Sequence, residues 1–318
     1  MADLQDISGD SPMETDKFID QGGYSKKRSK KQKMGIYSRF FESSAQDLKS
    51  GVFYKALLGE MLGVAFLVFV ACSSVYGLKE LDHVRISLSF GLSVATLVWL
   101  LANVSGGHIN PAVTAGMFIT RKISLVKLIL YIVFQCIGGI LGALVMKGLT
   151  CSWQLDFMKM NVDFNATKCG LGMTTLGNGV SAGQGCAVEL LITFVLVITV
   201  FATCDGSRND LNGSGPLAIG LSVTMCHLGF ISLTGASMNT ARTFGPAVVL
   251  GHWDDHWVYW VGPIFGGILA GLLYEFLFAG NASMSKISSW LMDPDYEQVD
   301  EEDDESPDSY EMKRGSNS

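Results

Sequence analysis

Charge is what the middle of this chain lacks. Of 318 residues only 17% are charged, against roughly 25% in an ordinary soluble domain. Residues 53–278 hold 11 Lys or Arg and 11 Asp or Glu, residues 1–52 hold 9 basic and 8 acidic, and residues 279–318 hold 3 and 11. The formal net charge of −7 therefore belongs to one tail. It says nothing about what the middle binds, and no nucleic-acid partner is expected.

Other absences narrow the function. Residues 1–50 are polar and have no apolar stretch of the kind a cleavable signal peptide needs, so the first apolar run is expected to act as its own membrane signal. The seven cysteines show no metal-type spacing, which points to mostly buried, inert thiols. Cys151 and Cys169 share one long connection, and a disulfide between them is left open. His252 and His256 are four residues apart, but no helix is evident at His252, and no metal site is expected there. No nucleophile–base pair, phosphate loop or metal constellation appears. An enzyme reading has no residues to stand on, and no cofactor is expected.

What the chain does have is apolar length. Runs at about 53–78, 84–104, 125–146, 186–204, 217–233 and 257–278 each approach the roughly 20 residues needed to cross a bilayer. The fold class expected is an all-α membrane protein with six transmembrane helices embedded in a lipid bilayer. Residues 1–50 read as a disordered arm, 51–280 as the membrane domain, and 281–318 as a disordered tail containing the acidic run 300–305. The basic run at 26–33, with Arg121, Lys122 and Lys127, places both termini on the cytoplasmic side, although Lys147, Lys159 and Lys168 argue more weakly the other way. Asn165-Ala166-Thr167 is then a glycosylation acceptor on the outer side, whereas Asn103, Asn212 and Asn281 match the same pattern in unsuitable places. Trp253, Trp257 and Trp260 read as an interfacial aromatic belt.

The chain is also a duplication. Ser105-Gly106-Gly107-His108-Ile109-Asn110-Pro111-Ala112 is answered by Thr234-Gly235-Ala236-Ser237-Met238-Asn239-Thr240-Ala241, 129 residues later. The same offset carries Gly91 to Gly220 and Glu60 to Glu189, and a constant offset is an internal repeat. The repeats cover about 53–146 and 186–278. Gly138 and Gly142 match Gly262 and Gly266 at an offset of 124, which implies a five-residue slip before the last span. Three spans per copy is an odd number, so the second copy enters from the opposite side as an inverted repeat.

Each motif interrupts an apolar segment and then supplies Asn, a preferred helix N-cap. Pro111 sits at a first helical position, where its missing N–H costs nothing. Two short half-helices beginning at Asn110 and Asn239 are expected to point their N-termini at each other, and non-helical backbone at that depth is tolerated only where it is buried or lines a wet cavity. A carboxylate within a span is a functional candidate by default. For Glu60 and Glu189 the preferred reading is support of the re-entrant loop backbone rather than a proton relay, and His108 joins them as loop support.

The paired motifs, the two intramembrane glutamates, and Thr240-Ala241-Arg242 followed by Phe244-Gly245-Pro246-Ala247 resemble the aquaporin (major intrinsic protein) family over about 50–280. The resemblance implies six spans plus two re-entrant half-helices and a passive water channel at the plasma membrane. It also implies a homotetramer with one pore per subunit. Phe90, His227, Ala236 and Arg242 match the family's narrow outer filter; His227, Thr243 and Tyr259-Trp260 look like the water-selective branch, and the pattern is closest to the brain-type animal members. The alternatives are a channel for glycerol or another small neutral solute, and a junctional or scaffold protein with a vestigial pore. One departure stands out. Thr240 replaces the family's usual Pro, which adds an N–H and frees φ at the start of the second half-helix. Preserved water flow is expected, with selectivity left open.

Overall fold

The computed structural model describes residues 36–75, 82–161, 170–208, 213–293 and 296. Among them the regular structure is helical: α1 Ile36–Lys49, α2 Gly51–Cys72, α3 His83–Ser105, α4 Pro111–Ile119, α5 Leu125–Asn161, α6 Ala182–Thr203, α7 Gly215–Thr234, α8 Thr240–Leu250, α9 Val258–Leu273 and α10 Met284–Met292. A 3₁₀ turn, Ser73–Val75, extends α2, and a π turn, Tyr274–Phe278, extends α9.

Among the described residues six helices are long and apolar enough to cross a membrane: Gly51–Val75, His83–Ser105, Leu125–Ser152, Ala182–Thr203, Gly215–Thr234 and Val258–Phe278. Their ends follow local chemistry. Asp82 accepts from Arg85 N at the start of α3, Ser214 from Leu217 N at the start of α7, and Ser181 with Gln184 forms a capping box on α6. α3 and α7 both end on a left-handed glycine, Gly106 and Gly235.

The packing repeats with the sequence. α2 lies against α5 as α6 lies against α9, α2 touches α3 as α6 touches α7, and α3 crosses α7 at the centre. Each half-helix packs on the last span of the other copy, α8 on α5 and α4 on α9. Glycines make these approaches possible. A Cβ on Gly139 would stand 2.3 Å from the Ala241 carbonyl oxygen, and one on Gly267 would stand 2.2 Å from that of Ala112. At the α3–α7 crossing, Gly91 and Gly220 face each other's carbonyls in the same way. Leu58, Leu62, Phe66, Leu92, Trp99, Leu221 and Phe265 are exposed around the bundle, while Glu60, Glu189, Asn110, Asn239, His227 and Arg242 are buried within it. Apolar outside and polar inside is the arrangement a bilayer demands.

The structure corrects the repeat register of the last spans. Gly138 faces the Met61 carbonyl and Gly266 that of Leu190, so the true partners are Gly138 with Gly266 and Gly139 with Gly267, at an offset of 128. The slip is one residue, not five. Glycines spaced four apart in both helices make a one-turn shift an equally good match on paper; only the facing carbonyls decide it.

Helices also stand where disorder was expected, at α1 within residues 1–50 and at α10 within 281–318. Ile36, Tyr37, Phe40 and Phe41 recur at helical spacing, and Ser283 caps α10 by accepting from Lys286 N. The charge-rich composition of the surrounding segments hides both signals. The acidic run 300–305 and the basic run 26–33 lie outside the described residues.

Candidate functional site

The two half-helices meet head to head. Asn110 Oδ1 caps α4 by accepting from Ala112 N, and Asn239 Oδ1 caps α8 by accepting from Ala241 N and Arg242 N. The amide nitrogens then cross over: Asn110 Nδ2 donates to the Met238 carbonyl and Asn239 Nδ2 to the Ile109 carbonyl, both at 2.8 Å. An amide has two N–H donors, so each asparagine keeps one beyond this exchange.

The loops that deliver the asparagines are held by carboxylates. Glu60 accepts from the Ser105 hydroxyl, His108 N, Ile109 N and Gln135 Nε2. Glu189 accepts from the Thr234 hydroxyl, Ser237 N and Met238 N. Tyr131 donates to the Ser105 carbonyl and Tyr259 to that of Thr234, both at 2.8 Å. These bonds satisfy backbone that has no ladder or helix to belong to, which apolar surroundings would otherwise penalise.

Proton positions in two further networks follow by counting donors. The Thr114 hydroxyl gives its single hydrogen to the Asn110 carbonyl and accepts from Gln135 Nε2. Its contact with His108 Nδ1 at 3.1 Å is therefore an N–H donation, and His108 Nε2 carries a lone pair. In the second loop the Ser237 hydroxyl donates to the Asn239 carbonyl, so Thr243 donates to Ser237 and Thr174 to Thr243. His227 Nδ1 faces the Val223 carbonyl at 2.9 Å, which makes Nδ1 the donor and Nε2 the lone-pair side.

A cavity of about 250 Å³ threads this centre. Its walls run from Phe90, His227 and Arg242 at one end, past Asn110 and Asn239, to Thr203, Cys204 and Pro216 at the other. Between the polar groups the wall is apolar, with Val94, Val98, Leu196, Val200, Ile219 and Val223. Phe90 stacks on His227 with ring centres 4.5 Å apart, and the Arg242 guanidinium lies 4.8 Å from the Phe90 ring centre. Arg242 Nη1 donates to the Gly172 carbonyl at 2.7 Å, while Arg242 Nε and His227 Nε2 make no hydrogen bond within the protein.

Ala236 is fully buried but is not on the cavity wall, and neither are Pro111, Ala112, Thr240 and Ala241. Thr240 is buried and its hydroxyl has no partner. His256 is buried between Trp253 and Tyr259, and His252 Nδ1 is 3.9 Å from Asp254. Among the described residues no group of three or more His, Cys, Asp or Glu could hold a metal. Cys151 is disulfide-bonded, and Cys72, Cys136, Cys186, Cys204 and Cys226 are free. Cys169 and Asn165 lie outside the described residues.

Sequence reasoning missed several members of the site. Gln135, Thr174 and the Gly172 carbonyl have no repeat counterpart that would have marked them. It also missed the cluster at the end of α9, where buried Glu275 takes Lys122 Nζ at 3.2 Å and Lys286 Nζ at 2.5 Å. Trp290 Nε1 donates to the Ile119 carbonyl there, which fastens α10 to the end of α4.

Two inverted copies, each contributing three spans and a re-entrant half-helix to one central passage, define a channel-type membrane protein. The family model for the major intrinsic proteins matches residues 47–274. The chain belongs to that family, a family of channels rather than enzymes. It is 47% identical to Aquaporin-4 of Rattus norvegicus over 240 residues, 74% of this chain and 70% of the relative. It is 40% identical to Aquaporin-1 of Homo sapiens over 248 residues, 75% of this chain and 87% of the relative. The solved aquaglyceroporin of Plasmodium falciparum superposes with a TM-score of 0.61 at 22% identity, covering 71% of this chain and 96% of that one; this likeness concerns the fold alone.

Proposed function

We propose that this protein is a passive water channel that conducts single-file water and excludes protons and cations. The observation that carries the reading is the reciprocal exchange between Asn110 and Asn239 inside one continuous cavity. Its support from relatives is the identity to Aquaporin-4 and Aquaporin-1.

The mechanism follows from the donors. Two helix N-termini place partial positive charge at the centre of the passage, and the remaining amide N–H of each asparagine turns the oxygen of a passing water toward it. That water then cannot bond continuously to both neighbours along the file, which interrupts proton hopping. Arg242 adds a full charge at the other narrow point; aquaporin-type pores are the standing example of cation exclusion by an Arg and half-helix dipoles. Phe90, His227 and Arg242 form the filter in this reading. Ala236 shapes it from behind, and the Nε2 lone pair of His227 accepts from water. A His stacked on a Phe beside an Arg leaves an aperture suited to water and too tight for a three-carbon polyol.

The pore loops are held by Glu60, Glu189 and His108. Because Thr240 is buried away from the cavity, its departure from Pro leaves selectivity unaltered. Homotetrameric assembly, the plasma membrane, cytoplasmic termini and glycosylation at Asn165 rest on the family resemblance, the basic arm and the acceptor pattern.

Shrinkage of vesicles containing the purified protein tests the function. In an impermeant osmolyte, fast shrinkage is expected; in a glycerol gradient, no glycerol entry above that of empty vesicles. Fast glycerol entry would replace water with a small neutral solute, and background rates in both would leave a scaffold with a vestigial pore.

A further inference from the structure

A second cavity, of about 310 Å³, opens beside the first, large enough for a small ligand. Its walls come from the junction of α1 and α2, the last turn of α3, and the start of α5. Two residues of opposite charge, Asp47 and Lys127, line it. The Asp47 carboxylate accepts one hydrogen bond, from the Ser124 hydroxyl, and the Lys127 ammonium lies 5.3 Å from the Tyr131 ring centre. Among the described residues no ion pair joins these two charges or neutralises either.

The rest of the wall repeats that polarity. Ser50, Val52 and Phe53 form the N-terminus of α2, and Ser50 makes no capping bond with its side chain. Ser50 N and Phe53 N are already used on the Asp47 and Ser50 carbonyls, so the Ser50 hydroxyl and the helix dipole make this end favour an anion. Asn103 and Val104 belong to the last turn of α3, whose carbonyls favour cations. His108, buried, is on this wall as well as on that of the first cavity. The cavity thus offers donors and an ammonium for an anion, and a carboxylate with further acceptors for a cation.

We infer that this cavity binds a compact zwitterion carrying a phosphate and a primary ammonium, the chemistry of an ethanolamine phosphate headgroup. The phosphate takes Lys127, the Ser50 hydroxyl and the start of α2. The ammonium donates to Asp47 and to the carbonyls at the end of α3. A primary ammonium has three N–H donors for these acceptors, whereas the quaternary ammonium of a choline headgroup has none. Ala102, Gly106 and His108 line both cavities, so the occupant touches the loop that delivers Asn110. Two sources carry this chemistry: a phosphatidylethanolamine from the adjoining leaflet, and free phosphoethanolamine.

The full-length protein, freed of lipid in detergent, is titrated with phosphatidylethanolamine or with phosphatidylcholine of the same acyl chains, and bound lipid is counted by native mass spectrometry. Loss of a charge-assisted hydrogen bond is worth about tenfold in affinity, so wild type is expected to hold the ethanolamine lipid about tenfold more tightly. Asp47→Asn brings that lipid down to the choline level, and Lys127→Met weakens both. Displacement by free phosphoethanolamine shows that the headgroup suffices; failure to displace assigns the site to the lipid. Equal retention of both lipids by wild type, with no binding of free phosphoethanolamine, overturns the inference whether or not the variants fold.

Discussion

Ala236 stands in the left-handed region at φ 47°, where its counterpart Gly107, one repeat earlier, stands at φ 61°. The two backbones are held alike: Gly107 N donates to the Ser105 hydroxyl and Ala236 N to the Thr234 hydroxyl, both at 3.1 Å. One copy meets this demand with glycine, and the other forces an L-residue into it at a cost of roughly 1–2 kcal/mol. Ala236→Gly is therefore expected to raise stability by about 1 kcal/mol, read as a higher unfolding temperature in detergent. Glycerol should stay excluded, because the Ala236 side chain is off the cavity wall.

The two loop carboxylates should differ in their tolerance of amidation. Glu189→Gln keeps an oxygen for the Thr234 hydroxyl and Ser237 N but turns an amide N–H₂ toward Met238 N, which costs about 2 kcal/mol. At Glu60 the unpartnered Gln135 Oε1 is close at hand. Turning the Gln135 amide gives the new N–H₂ an acceptor, and the Thr114 hydroxyl can turn its hydrogen to that same oxygen because the Asn110 carbonyl keeps Thr114 N, so Glu60→Gln should cost about 1 kcal/mol less. Paired thermal unfolding of the two variants checks the order.

Thr240 carries a hydroxyl with no partner in the most buried part of the molecule. Thr240→Val removes an unsatisfied polar group without changing shape, and a gain of about 1 kcal/mol is expected. Thr240→Pro should also stabilise, through the fixed φ of a first helical residue. Neither variant should change the ratio of water to glycerol flux, measured in the same vesicles.

The six spans, the inverted repeat and both asparagine caps were legible in the sequence. Hydropathy marks a span, and a constant 129-residue offset marks corresponding residues. Phe90, His227 and Arg242, which belong to one copy only, were legible through the family resemblance, but other single-copy features were not. The Gly172 carbonyl that takes Arg242 comes from the long connection after α5, which the repeat does not contain. The α10 contacts depend on a cap and a single Trp within a segment dominated by acids. The register of the last spans failed because glycine spacing repeats every turn, and only facing backbone distinguishes one turn from the next.

Asp205 stands at the start of the connection from α6 to α7. Burial pushes the Asp205 carboxyl up, but hydrogen bonds from the Ser207 and Tyr274 hydroxyls and from the Ser207 and Gly280 backbone outweigh it and hold the group below the usual aspartate range. A depressed carboxylate contributes stability that is fully present above its unfolded pKa and is lost as pH falls through the folded value. Amide exchange at Ser207 and Gly280 should therefore stay slow at neutral pH and accelerate only below about pH 4. In Asp205→Asn the protection should be weaker and independent of pH over that window.

Two halves that enter the membrane from opposite faces bring Asn110 and Asn239 together. In a background lacking the free cysteines, single cysteines at Lys122, just past α4, and at Asp254, just past α8, can be labelled in sealed vesicles of known sidedness with a membrane-impermeant maleimide. Labelling of Lys122→Cys from one face only, and of Asp254→Cys from the other face only, is the predicted result. Labelling of both from the same face would contradict the inverted repeat and the water path built on it.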